Sequence, residues 1–327
     1  MQSRVDPADP DRALNKSWES IARSGAVFNI NEGILIEGKR AATRLVAWPG
    51  VGTRMVAAHT LIHLPGGGFE PEVHPLSEEC LQIIKGHGQV DLGRGWIDLV
   101  PGDIVYVPHG VRHATRTAPD SSRDFVAVSF SSPPQMDLYQ KIGFFRNGLF
   151  DFDLIERELA RSTRGDIPTT NETQPSAPRG PEWGEVKGPA RTALEGGIFN
   201  MYRGAPFRGN GSLMKFILWP GAGTRMISAH TAFHDPGTMF IPHIHPISED
   251  AILCTNGKGQ GHLHGRWIDV EEGDIVYGPD NVKHGTGCPE GFDETFYTTG
   301  CASPPQPDLY ERAGYFVDGR FVDFPVE

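Results

Sequence analysis

Sliding the 327-residue chain against itself by 171 residues lays residues 25–153 on residues 196–324 without a gap. Roughly fifty of about 130 positions are identical, which is the self-similarity of an internal duplication. Trp48-Pro49-Gly50 falls on Trp219-Pro220-Gly221, Trp96-Ile97-Asp98 on Trp267-Ile268-Asp269, and SPPQMDLY from Ser132 on SPPQPDLY from Ser303. Such a chain folds as two like units. The division is an N-terminal helical extension over 1–24, a first domain over 25–153, a helix and linker over 154–195, and a second domain over 196–327. Residues 161–184, RSTRGDIPTTNETQPSAPRGPEWG, are rich in Pro, Ser, Thr and Gly, lack a hydrophobic period, and read as a surface linker.

Within a repeat the pattern is strand, turn, strand. TRMVAAHTLIHL, CLQIIKG, QVDL, WIDLV and DIVYVP are short apolar and β-branched runs separated by PGGG, GHG, GRG, PGD and PHG. Forty glycines and 27 prolines agree with many tight turns. The expected class is all-β, two tandem barrels or sandwiches with a few peripheral helices. SPPQMDLYQKIGFF predicts a short closing helix in each domain, and RALNKSWESIAR and DLIERELAR predict helices on the outside of the first.

The formal charge of −11, without a cluster of Lys and Arg, argues against nucleic acid or an anionic membrane as partner. The opening MQSRVDPADPDRALNKS has no apolar core for a signal peptide, and no apolar run reaches bilayer length. A cytoplasmic protein is expected, with Cys80, Cys254, Cys288 and Cys301 as reduced thiols, since no CxxC pairing occurs.

The chemistry concentrates in IPHIHPISED and its earlier counterpart EPEVHPLSEE. Side chains two apart on a strand share a face, so His243 and His245 can reach one point. One of Glu249 and Asp250 can swing onto the same point after the bend at Pro246, and His284 follows a later Pro turn. Three imidazoles and a carboxylate suit Mn, Fe, Co, Ni, Cu or Zn and suit Ca or Mg poorly. In the first repeat Glu72 replaces the first histidine, with His74, Glu79 and His113 retained. Two imidazoles and two carboxylates would give a neutral site with a divalent ion, against a charge of +1 in the second repeat. Without an ion, Glu72 and Glu79 would repel and share a proton, making an acid–base pair. Arg54 and Arg225, identical between the copies, are candidates to clamp a substrate carboxylate, with ion pairing the commoner explanation. His59 with His230, and His63 with His234, line a cavity or act as hydrogen-bonded structural groups.

Both repeats resemble cupin domains, so the chain resembles a bicupin. The first cupin motif, a glycine, HxH, a carboxylate and a closing glycine, matches Gly237, His243, His245, Asp250 and Gly257, and in the first repeat Gly66, Glu72, His74, Glu79 and Gly86. The second motif, a glycine followed by PxGxxH, matches Gly102, Pro108, Gly110 and His113, and Gly273, Pro279 and His284. Asn281 stands where the glycine is usual. The resemblance implies double-stranded β-helix (jelly-roll) domains and one or two divalent ions per chain, Mn, Fe, Ni, Cu or Zn. Its register selects Glu79 and Asp250 as ligands. Glu78 and Glu249 stay open as alternatives, because a bulge after Pro75 or Pro246 would exchange the faces.

The resemblance places a metal-dependent dioxygenase of a small organic substrate first. A metal-dependent hydrolase, lyase or isomerase comes second, because the ExH of the first repeat resembles the ureidoglycine aminohydrolase branch. A non-catalytic small-ligand-binding cupin is third. The expected partners are a small-molecule substrate and further copies of the chain in a homo-oligomer.

Overall fold

The computed structural model describes residues 5–162, 188–209 and 211–326, and in it the apolar runs of each repeat are strands. In the first repeat they are Ala57–His63, Glu78–Lys85, Gly88–Asp91, Trp96–Leu99 and Asp103–Val107, followed by Ala114–Thr117 and Phe125–Ser132. The expected short helices are Trp18–Ser24, Met136–Lys141, Phe152–Arg161 and Pro307–Arg312. Beyond Ser162 the expected linker lies outside the described residues until Gly188, and the helix Pro189–Glu195 leads into the second repeat.

Each repeat builds a seven-stranded sheet facing a smaller one, of three strands in the first repeat and four in the second. The inward side chains alternate along each strand, so a single face of each sheet enters the interior. In the first repeat Leu81, Ile83, Val105, Val107, Phe125 and Ala127 of the large sheet meet Val90, Leu92 and Leu99 of the small one. The corresponding interior of the second repeat joins Ile252, Cys254, Val276 and Phe296 to Leu263, Ile268 and Val270.

The opposite faces of the two large sheets form the largest apolar cluster, where Cys80, Tyr106, Val128 and Phe130 meet Ile227, Ala229, Leu253, Tyr277 and Cys301. The strand that opens each repeat crosses this junction. Ala26–Asn29 pairs antiparallel with Asp274–Gly278, and Gly197–Asn200 pairs with Asp103–Val107. Alternation then divides each crossing strand between two interiors. Val27 enters the interior of the second repeat and Ile198 that of the first, while Phe28 and Phe199 join the shared cluster. Arg12 secures the first crossing with paired contacts to the buried Asp274 carboxylate at 2.6 and 3.0 Å. The repeats of the sequence and the sheets they build are thus offset by one strand.

Each sheet lacks an edge strand and exposes its apolar outer face without the other repeat. Burial of a side chain such as Phe28 or Phe199 is worth about 2 kcal/mol. Residues 1–162 and 188–327 expressed separately should therefore aggregate or fail to give a cooperative unfolding transition. Co-expression should recover a 1:1 complex on size-exclusion chromatography.

Candidate metal centre

The two histidine motifs meet because the backbone pairs them. Glu72 and His113 exchange N–H···O bonds of 2.9 and 3.0 Å, and His243 and His284 do the same at 2.9 and 3.0 Å. Residues opposed in this way project to one side with Cβ atoms about 5 Å apart. The second turn is tied to the remaining histidine, since Gly110 N–H donates to the His74 carbonyl and Asn281 N–H to that of His245. Both turn residues need the left-handed region, with φ of 77° for Gly110 and 61° for Asn281, and asparagine tolerates it better than most side chains.

In the second repeat the ligand-type atoms of His243, His245 and His284 lie within 4.8 Å of one another. Each ring is oriented from behind. His243 Nδ1 contacts the Ile241 carbonyl at 3.0 Å, His284 Nδ1 the Val282 carbonyl at 2.9 Å, and His245 Nδ1 the Asp308 carboxylate at 3.2 Å. These oxygens only accept, so each Nδ1 carries the proton and each Nε2 turns a lone pair inward. His243 Nε2 and His245 Nε2 are 3.0 Å apart, and His284 Nε2 and Asp250 Oδ1 are buried without hydrogen-bond partners. Converging lone pairs repel unless a cation lies among them, so this set of three nitrogens and a carboxylate fits a divalent transition ion.

The acid pair separates by alternation. Asp250 faces the imidazoles, with Oδ2 3.6 Å from His284 Nε2, and accepts a hydrogen bond of 3.1 Å from Gln306. Glu249 projects to the other face, so its candidacy as a ligand is corrected. Its carboxylate accepts from the backbone N–H groups of Arg54, Met55 and Val56 in the first repeat. Glu78 mirrors it, accepting from Arg225, Met226 and Ile227. The arginines are corrected with the glutamates. The Arg54 guanidinium is held by Glu249 and Asp280, and the exposed Arg225 sits at the equivalent junction, so neither clamps a substrate at the histidine cluster.

In the first repeat the ligand-type atoms of Glu72, His74 and His113 also lie within 4.8 Å of one another. Glu79 Oε2 is 3.0 Å from His113 Nε2 and 3.8 Å from His74 Nε2, and Glu72 Oε1 is 3.9 Å from both rings. The Glu72 side chain is 53% exposed and forms the rim. Burial would raise the Glu79 carboxyl, but the His113 ring 3.0 Å away, itself raised to about 9 by this acid, and the Ser129 hydroxyl hold it at about 2, as a carboxylate.

The copies diverge around these acids. Ser129 donates to Glu79 and Val107 pairs with it across the strands. Glycines 300 and 278 take the equivalent places beside Asp250. A Cβ on Gly300 would lie 3.1 Å from Asp250 Oδ1, and one on Gly278 2.6 Å from the His284 ring. The space left is a cavity of about 30 Å³ lined by His230, Asp250, His243, Gln306, Phe240 and Gly300, among others. His230 lines this cavity, with its Nδ1 3.6 Å from where a Cβ on Gly300 would lie, and its Nε2 is sealed away without a hydrogen-bond partner, whereas that of its counterpart His59 is bound to the Tyr139 hydroxyl at 3.0 Å. Sequence reasoning did not single out Gln135, Gln306 or Asp308. Their signal was present, since SPPQ is identical in both copies and an Asp follows it two residues later.

Two findings are directly testable. Asp250→Asn should lower metal content at the second site, while Glu249→Ala should leave it and cost about 3 kcal/mol of stability, read by denaturant titration, because buried N–H groups lose their acceptor. Burial also lowers His59, His63 and His230 to about 4 and His234 to about 3, so the folded rings are neutral. Unfolding lets them take up protons at their ordinary value of 6.5. Their contribution is intact above that pH and lost as the pH falls toward 4, on the order of 3 kcal/mol for each ring. Denaturation midpoints of metal-stripped protein should fall between pH 7 and pH 5.

Comparison with known proteins agrees with this architecture. The Cupin domain family matches residues 60–129. No curated protein matches the chain in sequence. Among solved structures, protein Ylba from E. coli shares 12% identity over 85% of this chain and 90% of its own, with a TM-score of 0.56. Oxalate decarboxylase from Lactobacillus farciminis, as a formate complex, shares 16% identity over 85% and 86%, with a TM-score of 0.55. A deletion mutant of Bacillus subtilis oxalate decarboxylase shares 16% identity over 86% and 77%, with a TM-score of 0.55. Among the described residues, no helix is long and apolar enough to cross a membrane.

Proposed function

We propose that this chain, whose first repeat matches the Cupin domain family and whose fold is shared by two-domain oxalate decarboxylase, is a metal-dependent enzyme acting on a small carboxylate substrate at the centre in its second repeat. His243, His245, His284 and Asp250 would hold the ion. The bound ion supplies Lewis-acid charge that polarises an oxygen of the substrate or activates water. Asp250 neutralises one of its two charges, and the remaining +1 favours an anion.

The observation that carries this reading is the cavity against Asp250 and His243, with the His230 ring on its wall. At about 30 Å³ it has room for roughly two or three water-sized groups, enough to take one carboxylate end of a small acid. His230, held neutral by burial, is placed to accept a proton or hydrogen-bond the reacting oxygen. Gln306 holds one oxygen of Asp250, and Phe240 and Leu309 limit water. These features favour lyase or hydrolase chemistry. The fold neighbours named oxalate decarboxylase are named for a two-carbon acid, a likeness that supports the substrate size alone.

Dioxygenase chemistry is the second reading. It is favoured by a donor set of three imidazoles and one carboxylate, which leaves positions on a redox ion open for substrate and dioxygen. The described cysteines are all free, in keeping with a cytoplasmic enzyme.

The test is turnover of two- to four-carbon carboxylates by protein of measured metal content, following carbon dioxide release and oxygen uptake together. Product without oxygen consumption is expected. Stoichiometric oxygen uptake would establish the dioxygenase instead, and a metal-loaded protein inert with the whole panel would point to a binding module. His230→Gln should lower kcat about 10²-fold with metal content unchanged.

A further inference from the structure

We propose that the two repeats select different classes of divalent ion, the second a nitrogen-preferring ion such as Zn²⁺ and the first a harder, oxygen-preferring ion such as Mn²⁺. The inference rests on the metal-dependent reading above and extends it to the first repeat.

The donor sets differ in kind. The second repeat offers three imidazoles and the short carboxylate of Asp250, and the first offers Glu72 and Glu79 with His74 and His113. Carboxylates suit hard ions and imidazoles borderline ones. The two carboxylates also neutralise a divalent ion fully, so the first site gains most from an ion that binds through charge and least from one that needs nitrogen donors.

The supports behind the ligands differ in the same direction. His245 Nδ1 is bound to Asp308, which fixes the ring and raises its basicity toward a metal. His74, the equivalent ring, has a buried Nδ1 with no hydrogen-bond partner, and its Nε2 is 3.1 Å from the Gln135 amide. His74 is therefore less prepared as a donor than His245, while His113, with Nδ1 3.1 Å from the Val111 carbonyl, is held as His284 is. The rim ligand sits farther out in the first site, with Glu72 Oε1 3.9 Å from both rings against 3.0 Å between His243 and His245 Nε2, and the inner acid sits closer, at 3.0 Å from His113 against 3.6 Å between Asp250 and His284.

The first site also bears no mark of decay. Its glutamate is matched by Ser129, which donates to Glu79, where the second repeat has Gly300 beside the shorter Asp250. Acid length and neighbour size change together, so each site is complete on its own terms.

The test uses full-length protein stripped with a chelator, then given one equivalent of Zn²⁺ per chain and excess Mn²⁺. Metal content after gel filtration and the Mn²⁺ electron paramagnetic resonance spectrum are the readouts. Wild type should retain Zn²⁺ and Mn²⁺ in equal amounts. His245→Ala should keep the bound Mn²⁺ signal and lose the preferential Zn²⁺. His74→Ala should do the reverse, and Zn²⁺-over-Mn²⁺ selectivity at the two sites should differ by ~10-fold or more. Glu72→His, a change at the exposed rim, should let a second equivalent of Zn²⁺ displace the Mn²⁺. Equal selectivity in the two alanine variants, with Glu72→His without effect, would overturn the inference while leaving a metal enzyme. Failure of wild type to bind either ion would remove both readings.

Discussion

The architecture depends on two adjacent carboxylates pointing opposite ways. Strand alternation sends Glu79 and Asp250 into their own interiors and sends Glu78 and Glu249 outward. The outward pair then takes up the backbone N–H groups that open a strand of the opposite repeat. Those N–H groups are donors that the sheet ladder does not use, and a buried donor without an acceptor costs as much as a lost hydrogen bond. One step along the chain therefore joins the ligand set of each repeat to the surface that holds the two repeats together.

That linkage makes the repeat junction part of the site's scaffold. Glu78 holds the approach to the strand Ser228–His234, which carries His230 to the cavity of the second repeat. Glu249 holds the approach to Ala57–His63, which carries His59. The crossing strands and the apolar cluster between the large sheets hold these approaches in place, so rotation of one repeat against the other would disturb both centres.

Duplication has preserved this frame and altered what it surrounds. The paired turns, the outward glutamates and the closing helices are common to both copies. Three of the differences lie at the acids and their ligand set, as Glu72 for His243, Ser129 for Gly300 and Val107 for Gly278. In the second copy the missing side chains leave room beside Asp250 and the His284 ring. In the first, a serine hydroxyl and a valine take that room, and the extra carboxylate faces solvent.

Much of this was legible in the chain. The duplication implied two like units, apolar and β-branched runs such as CLQIIKG marked the strands, and spacing joined His243, His245 and His284 to one point. All are local or periodic properties, which sequence records directly. Which acid of each pair faces the histidines was not decided locally, because a bulge at the preceding proline would have exchanged the faces. Tertiary structure settled it by bringing the N–H groups of the other repeat against Glu78 and Glu249. It also turned Arg54 to that junction and carried the opening strands across it, since hydrogen bonds between residues nearly two hundred positions apart leave no periodic trace in either segment.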